Sequence, residues 1–161
     1  MKRRQTPRQW LALDRDEQSA WRTVRRLPPG TGVLLLCRDL SKRERSVMLA
    51  KLRRIAATRG LTISDEAEGG GARVHNMREL RRANLAKIPL IFLSPVFPTA
   101  SHPDWRPLPR MRAAAMIQLA KAPVIALGGM SERRFWLVKA LGFQGWAGIG
   151  AWARSRSKRS S

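Results

Sequence analysis

Residues 123–131 read Pro-Val-Ile-Ala-Leu-Gly-Gly-Met-Ser, and the order of these nine residues sets the fold class. Val124–Leu127 is an uninterrupted apolar run, too short for a helix, of the kind that forms a strand buried on both faces. Gly128-Gly129 then permits a tight turn, and Ser131 is a good N-cap for a helix over about 131–141. One strand, one turn and one helix make a βα unit. The same unit recurs outward in both directions, with strands expected at 9–14, 32–38, 61–64, 90–94 and 145–149 and a seventh at Ala72–His75. Helices are expected near 16–27, 41–59, 77–86 and 109–121. Strands alternating with helical segments predict an α/β protein with a parallel sheet. The helix at 41 carries its own start signal: Ser41 followed by Glu44 spells a capping box, and Val47, Met48, Leu52, Ile55 and Ala56 are expected to share its buried face.

The chain has 161 residues and a formal net charge of +21, yet 43% of its residues are hydrophobic, enough for one folded domain. Most of the excess charge lies in residues 1–60 and in the tail, where Ala151–Ser161 carries basic side chains and no acids. We therefore expect a single domain over 1–152 and a basic, disordered tail over 153–161. The longest apolar stretch, Ile88–Phe97, is broken by prolines and is far shorter than the roughly 20 residues of a membrane-spanning helix. The basic N-terminus leads into Leu11–Gln18, which has acids where a secretory signal has its apolar core, so a cytoplasmic protein is expected. Cys37 stands alone, which excludes an intramolecular disulfide, and reads as an inert residue of an apolar strand. The six tryptophans are scattered and mostly read as packing residues.

Ligands of parallel α/β proteins collect at the carboxyl ends of the strands. Three strand ends here have suitable chemistry. Ser94–Pro103 is dense in prolines and in donors, with Thr99, Ser101 and His102 as candidate catalytic groups and His75 as a fourth. Gly128-Gly129 lets backbone approach a ligand closely, ahead of a helix whose first N–H groups favour anions. Ala147–Ala151 again offers small residues at a strand end. Gly128, Gly129, Ile149 and Gly150 thus form a candidate phosphate cradle, with Arg38 and Arg73 as nearby cations.

These segments resemble the thiamine phosphate synthase and thiazole tautomerase (TenI) family. Ser94–Pro103 is similar to its G-P-v-F-x-T-x-[ST]-K loop, Pro123–Met130 to its P-v-v-A-i-G-G-i strand, and Gly142–Ala151 to its last strand. His75–Leu80 resembles its S-x-H-t-x-x-E-l segment, and Val33–Asp65 its second strand, second helix and third strand. The resemblance implies a TIM-barrel-like fold, a role in thiamine biosynthesis, and a small phosphorylated thiazole or pyrimidine as ligand. It also implies Mg2+, for which Asp65 is the candidate ligand.

The sequence departs from the family pattern at places that matter for chemistry. Where the family's synthases have Q-x-R-x-K, Leu34–Arg38 keeps only Arg38; His102 stands for the loop lysine, Arg73 for a serine and Gly150 for another. Loss of pyrophosphate builds negative charge that cations must neutralise, so these replacements argue against the synthase transferase reaction and for a tautomerase-like isomerase. An eight-stranded barrel takes about 200–250 residues, and only Glu66–Gly71 stands where the family has a helix, a strand and a second helix. Neighbouring parallel strands need a crossover of a dozen residues or more. A shortened, open barrel of six to seven strands is expected, with its defect near residues 65–75 and dimerisation as one way to cover it. Two other readings compete: a basic protein that binds nucleic acid without sequence preference, and an inactive remnant of the family.

Overall fold

A computed structural model describes residues 5–36 and 39–149 of the chain. The elements follow one another as β1 (Gln9–Leu13), α1 (Gln18–Val24), β2 (Gly32–Leu35), α2 (Lys42–Arg59), β3 (Thr62–Asp65), β4 (Ala72–Val74), α3 (Met77–Leu85), β5 (Ile91–Leu93), α4 (Arg110–Leu119), β6 (Val124–Leu127), α5 (Glu132–Val138) and β7 (Gly145–Gly148). Ala72–Val74 is thus a strand, the seventh among the described residues. Three helices fall short of their sequence pattern by more than one residue: α1 loses both ends, α4 runs only over Arg110–Leu119, and the last helix tightens at Lys139–Leu141 into a 3-10 turn that Gly142 ends in the left-handed region. On α2 the capping box forms as expected, but its buried face is Met48, Leu49, Leu52 and Ala56, while Val47 is exposed. Leu49 displaces Val47 because the larger side chain sits nearer the line through Leu52 and Ala56 that faces the sheet.

All seven strands are parallel, in the order β3-β2-β1-β7-β6-β5-β4. Strands β3 and β4 are consecutive in sequence but lie at the two edges, with no ladder between them. In a flat sheet those edges would stand about 29 Å apart at the usual strand spacing. The chain from Asp65 to Ala72 reaches roughly 23–25 Å at full extension. A flat sheet is therefore excluded by the length of residues 66–71, and the sheet must curl until its edges approach. The curl is visible in the core. The rings of Trp10 on β1 and Phe92 on β5, three strands apart, meet edge to face with centroids 5.4 Å apart.

Curling gives the strands between the two edges two buried faces, which explains their unbroken apolar runs in the sequence. Trp10, Ala12, Leu34, Phe92, Ile125, Leu127 and Ala147 fill the inside. The alternate residues face the helices: Leu11, Leu13, Val33 and Leu35 pack on Trp21, Val24 and Leu52, while Ile91, Leu93, Val124 and Ala126 pack on Leu80, Met116 and Phe135. Gly32 is required where it stands, because a Cβ there would collide with the Trp10 ring. The open edge is closed locally by the loop itself. Gly70 N–H donates to Asp65 O over 2.9 Å, and Arg73 grips Glu66 with two hydrogen bonds of 3.1 and 3.2 Å. Among the described residues no helix is long and apolar enough to cross a membrane.

Candidate functional site

The carboxyl ends of β2, β4, β5, β6 and β7 surround a cleft of about 890 Å³. Its floor is set by Leu36 and Leu127, which belong to the inner layer, with Gly148 beside them. Its rim is the long connection between β5 and α4, which packs directly on the glycine pair after β6. Val96 N–H donates to Leu127 O at 3.0 Å and Phe97 N–H to Gly128 O at 3.1 Å, extending the sheet pattern past its last residue. Gly128 and Gly129 both have positive φ, at 96° and 60°, and a Cβ on Gly129 would strike the Pro98 carbonyl oxygen. Those glycines are thus demanded by the rim as well as available to a ligand. Arg134 fastens the assembly: its guanidinium donates to Gly129 O at 2.6 Å and lies over the Phe97 ring at 5.1 Å.

Most of the residues expected from the sequence line this one cleft: Arg73, His75, Thr99, Ser101, His102, Gly128, Gly129 and Ile149. Thr99 Oγ1 accepts the N–H of Ser101 at 3.3 Å, holding the rim loop in a turn. Arg73 reaches the cleft with its charge already matched by Glu66, so it brings less to an anion than an unpaired arginine would. Arg38 and Gly150, together with Cys37, lie outside the described residues.

Asp65 is elsewhere. It is buried at the end of β3, ion-paired with Arg45 of α2, and accepts the N–H of Ala67 at 3.0 Å. Among the described residues no group of three His, Cys, Asp or Glu side chains could hold a metal. A single carboxylate already facing an arginine does not suit Mg2+, which is held by one or two carboxylates together with water and phosphate oxygens.

The structure adds side chains that the sequence reading did not single out. Trp105 is 43% exposed and lies stacked on His102, with ring centroids 4.2 Å apart and planes 12° apart. It also meets His75 edge to face at 5.2 Å, so one indole joins the two histidines of the chain. Arg133 and Arg134, in the first turn of α5, line the cleft and have no carboxylate partner among the described residues. Two signals pointed to these residues. Trp105 follows His102 by three positions in the proline-rich rim, and the arginines come one residue, Glu132, after the Gly-Gly-Met-Ser turn.

His75 is itself held. Its Nδ1 lies 2.9 Å from Glu79 Oε2, and its backbone N–H donates to the same oxygen at 2.6 Å. Burial pushes the Glu79 carboxyl upward, but the hydrogen bonds from His75 and Asn76 and the attraction of the imidazole outweigh it and hold the group below the usual glutamate range.

A family model described as thiamine monophosphate synthase matches residues 70–152, the part of the chain that contributes β4 to β7 and the whole cleft rim. Among solved structures, a thiamine phosphate pyrophosphorylase from Pyrococcus furiosus superposes with a TM-score of 0.73 at 18% identity, covering 92% of this chain and 88% of that one. That likeness shows the fold, and extends it to the N-terminal strands. A FabK mutant from Thermotoga maritima aligns with a TM-score of 0.49 at 15% identity over 84% of this chain and 47% of that one. No curated protein matches the sequence.

Proposed function

The chain belongs to the thiamine monophosphate synthase family, and from that premise we propose that it binds a small phosphorylated heterocycle, thiazole phosphate or a close relative, in the cleft at the strand ends. The observation that carries this reading is the meeting, around one cleft, of Gly128-Gly129, Gly148-Ile149 and two arginines, Arg133 and Arg134, that have no carboxylate partner among the described residues. Backbone close to an anion plus a guanidinium is the ordinary chemistry of phosphate recognition. The ring of the ligand then lies toward Trp105, His75 and His102, with the hydroxyls of Thr99 and Ser101 on the rim. Isomerisation by proton transfer suits these side chains better than displacement of pyrophosphate. The latter needs cations at the reacting centre, and there Arg73 is matched by Glu66 and a histidine, His102, stands on the loop. On this reading the protein works in the cytoplasm on a metabolite of thiamine biosynthesis.

The test is calorimetric titration of the full chain with thiazole phosphate, at low and physiological salt. Arg133→Glu should weaken binding by roughly 10- to 100-fold, the loss of one hydrogen bond to a charged group. A wild-type chain that does not bind the phosphate refutes the proposal. Nucleic acid bound tightly above physiological salt would favour the competing reading.

A further inference from the structure

We infer that Glu79 is a positioning residue that fixes the tautomer of His75, so that Nε2 faces the cleft as a proton acceptor. The inference rests on the binding site proposed above but on a different observation, the way α3 is capped.

Among the described residues two helix starts pair a side-chain N-cap with a glutamate three residues later, and they differ at one point. At α2, Ser41 accepts the N–H of Glu44, and Glu44 returns to the N–H of Ser41 itself at 2.8 Å, the usual reciprocal cap. At α3, Asn76 accepts the N–H of Glu79 at 2.9 Å, but Glu79 passes over Asn76 and bonds His75, the residue before the cap. One oxygen, Oε2, receives both the backbone N–H and the ring nitrogen Nδ1. Capping requires only the first of these bonds. The second selects a side-chain state: an ionised carboxylate only accepts hydrogen bonds, so the proton must be on Nδ1. Neutral imidazole has one proton, and Nε2 is left with its lone pair.

Three further observations fit this arrangement. Nε2 has no hydrogen-bond partner among the described residues, and His75 lines the cleft. The Trp105 ring stands perpendicular to the imidazole, with centroids 5.2 Å apart, and restricts its rotation. Glu79 is kept ionised by its hydrogen bonds despite partial burial. Other charged groups at the cleft are Arg73 of β4, paired with Glu66, and Arg133 and Arg134 of α5, with His102 stacked on the Trp105 ring.

In the step this geometry serves, an X–H bond of the bound heterocycle breaks, its electron pair stays on the heterocycle, and the proton forms an N–H bond at Nε2. The resulting imidazolium sits against the Glu79 carboxylate. Return of the proton to a different ring atom completes an isomerisation and restores His75, with no other reactant consumed.

The tautomer can be read directly in the 15N-labelled full chain by long-range 1H–15N correlation at pH 7.5, with His102→Asn to assign the two histidines. The expected result is a protonated Nδ1 and an unprotonated Nε2 for His75. Glu79→Ala should abolish that preference, whereas Glu79→Gln, whose amide oxygen can accept both bonds, should keep it; thermal melting of each variant verifies folding. Saturating thiazole phosphate should move the Nε2 resonance. A wild-type His75 protonated at Nε2, a tautomer indifferent to Glu79→Ala, or bound ligand that leaves the Nε2 resonance unmoved each overturns the inference. A ligand that fails to bind by calorimetry refutes the proposed function instead, and the tautomer then decides the role of Glu79 alone.

Discussion

Trp10 and Phe92 offer a direct measure of how far the sheet curls. They stand on β1 and β5, separated in the ladder by β7 and β6, and in a flat sheet they would be about 14 Å apart. Side chains at that separation with no shared partner behave additively on mutation, to within about 0.3–0.5 kcal/mol. Both residues are almost fully buried, and their rings touch edge to face at 86°. An aromatic pair of this geometry is worth about 0.5–1.5 kcal/mol beyond the area it buries. Trp10→Leu and Phe92→Leu keep the sites apolar and avoid the larger loss of alanine replacements, about 3–5 kcal/mol each. The double-mutant cycle, read by urea unfolding at constant m-value, should show a coupling of about 0.5–1.5 kcal/mol. A coupling indistinguishable from zero would refute the curled sheet, and with it the cleft that the curl creates.

Gly129→Ala should lower stability by about 1–3 kcal/mol in a thermal or urea melt, because a Cβ there meets the Pro98 carbonyl oxygen and the backbone is left-handed. Unchanged stability would mean that the rim does not rest on the glycine pair. Glu44 should make the α2 cap sensitive to acid. Its carboxyl is held below the ordinary value by the side-chain and backbone hydrogen bonds of Ser41. Its stabilisation is therefore complete above the unfolded glutamate pKa and is lost as pH falls through the lower folded value. Wild type and Glu44→Gln should differ in melting temperature at pH 7 and converge toward pH 3; a constant difference would contradict this account.

The short connection at 66–71 made the fold's departure from a full barrel legible, because chain length limits what two parallel strands can do. Strand identity was legible where apolar runs were continuous. The helix face of α2 was read one residue off at Val47, since Val47, Met48 and Leu49 are all apolar and only packing against the sheet chooses among them. The cleft followed from strand ends, whose position a βα pattern fixes. Charge balance did not. Arg73 and Asp65 look free in the sequence, but Glu66 and Arg45 engage them through a turn and a helix whose orientation no local pattern encodes. Trp105 was hidden for a related reason. Its partners His75 and His102 come from different elements, and the three rings meet only when the rim folds back over β4.

The order of the strands also has a kinetic side. With the exceptions of β3 and β4, which do not pair, and of β1 and β7, every ladder joins strands that are consecutive in the chain. The β1–β7 ladder sets Leu11 beside Gly148 and so closes nearly the largest loop the described chain can form. Contacts of such sequence separation are the slow ones in folding. Two partial sheets, β1–β3 and β4–β7, are expected to form from local pairings and then dock through that single ladder. A circular permutant opened in the 66–71 loop would turn the ladder into another near-neighbour pairing and lower the contact order of the whole sheet.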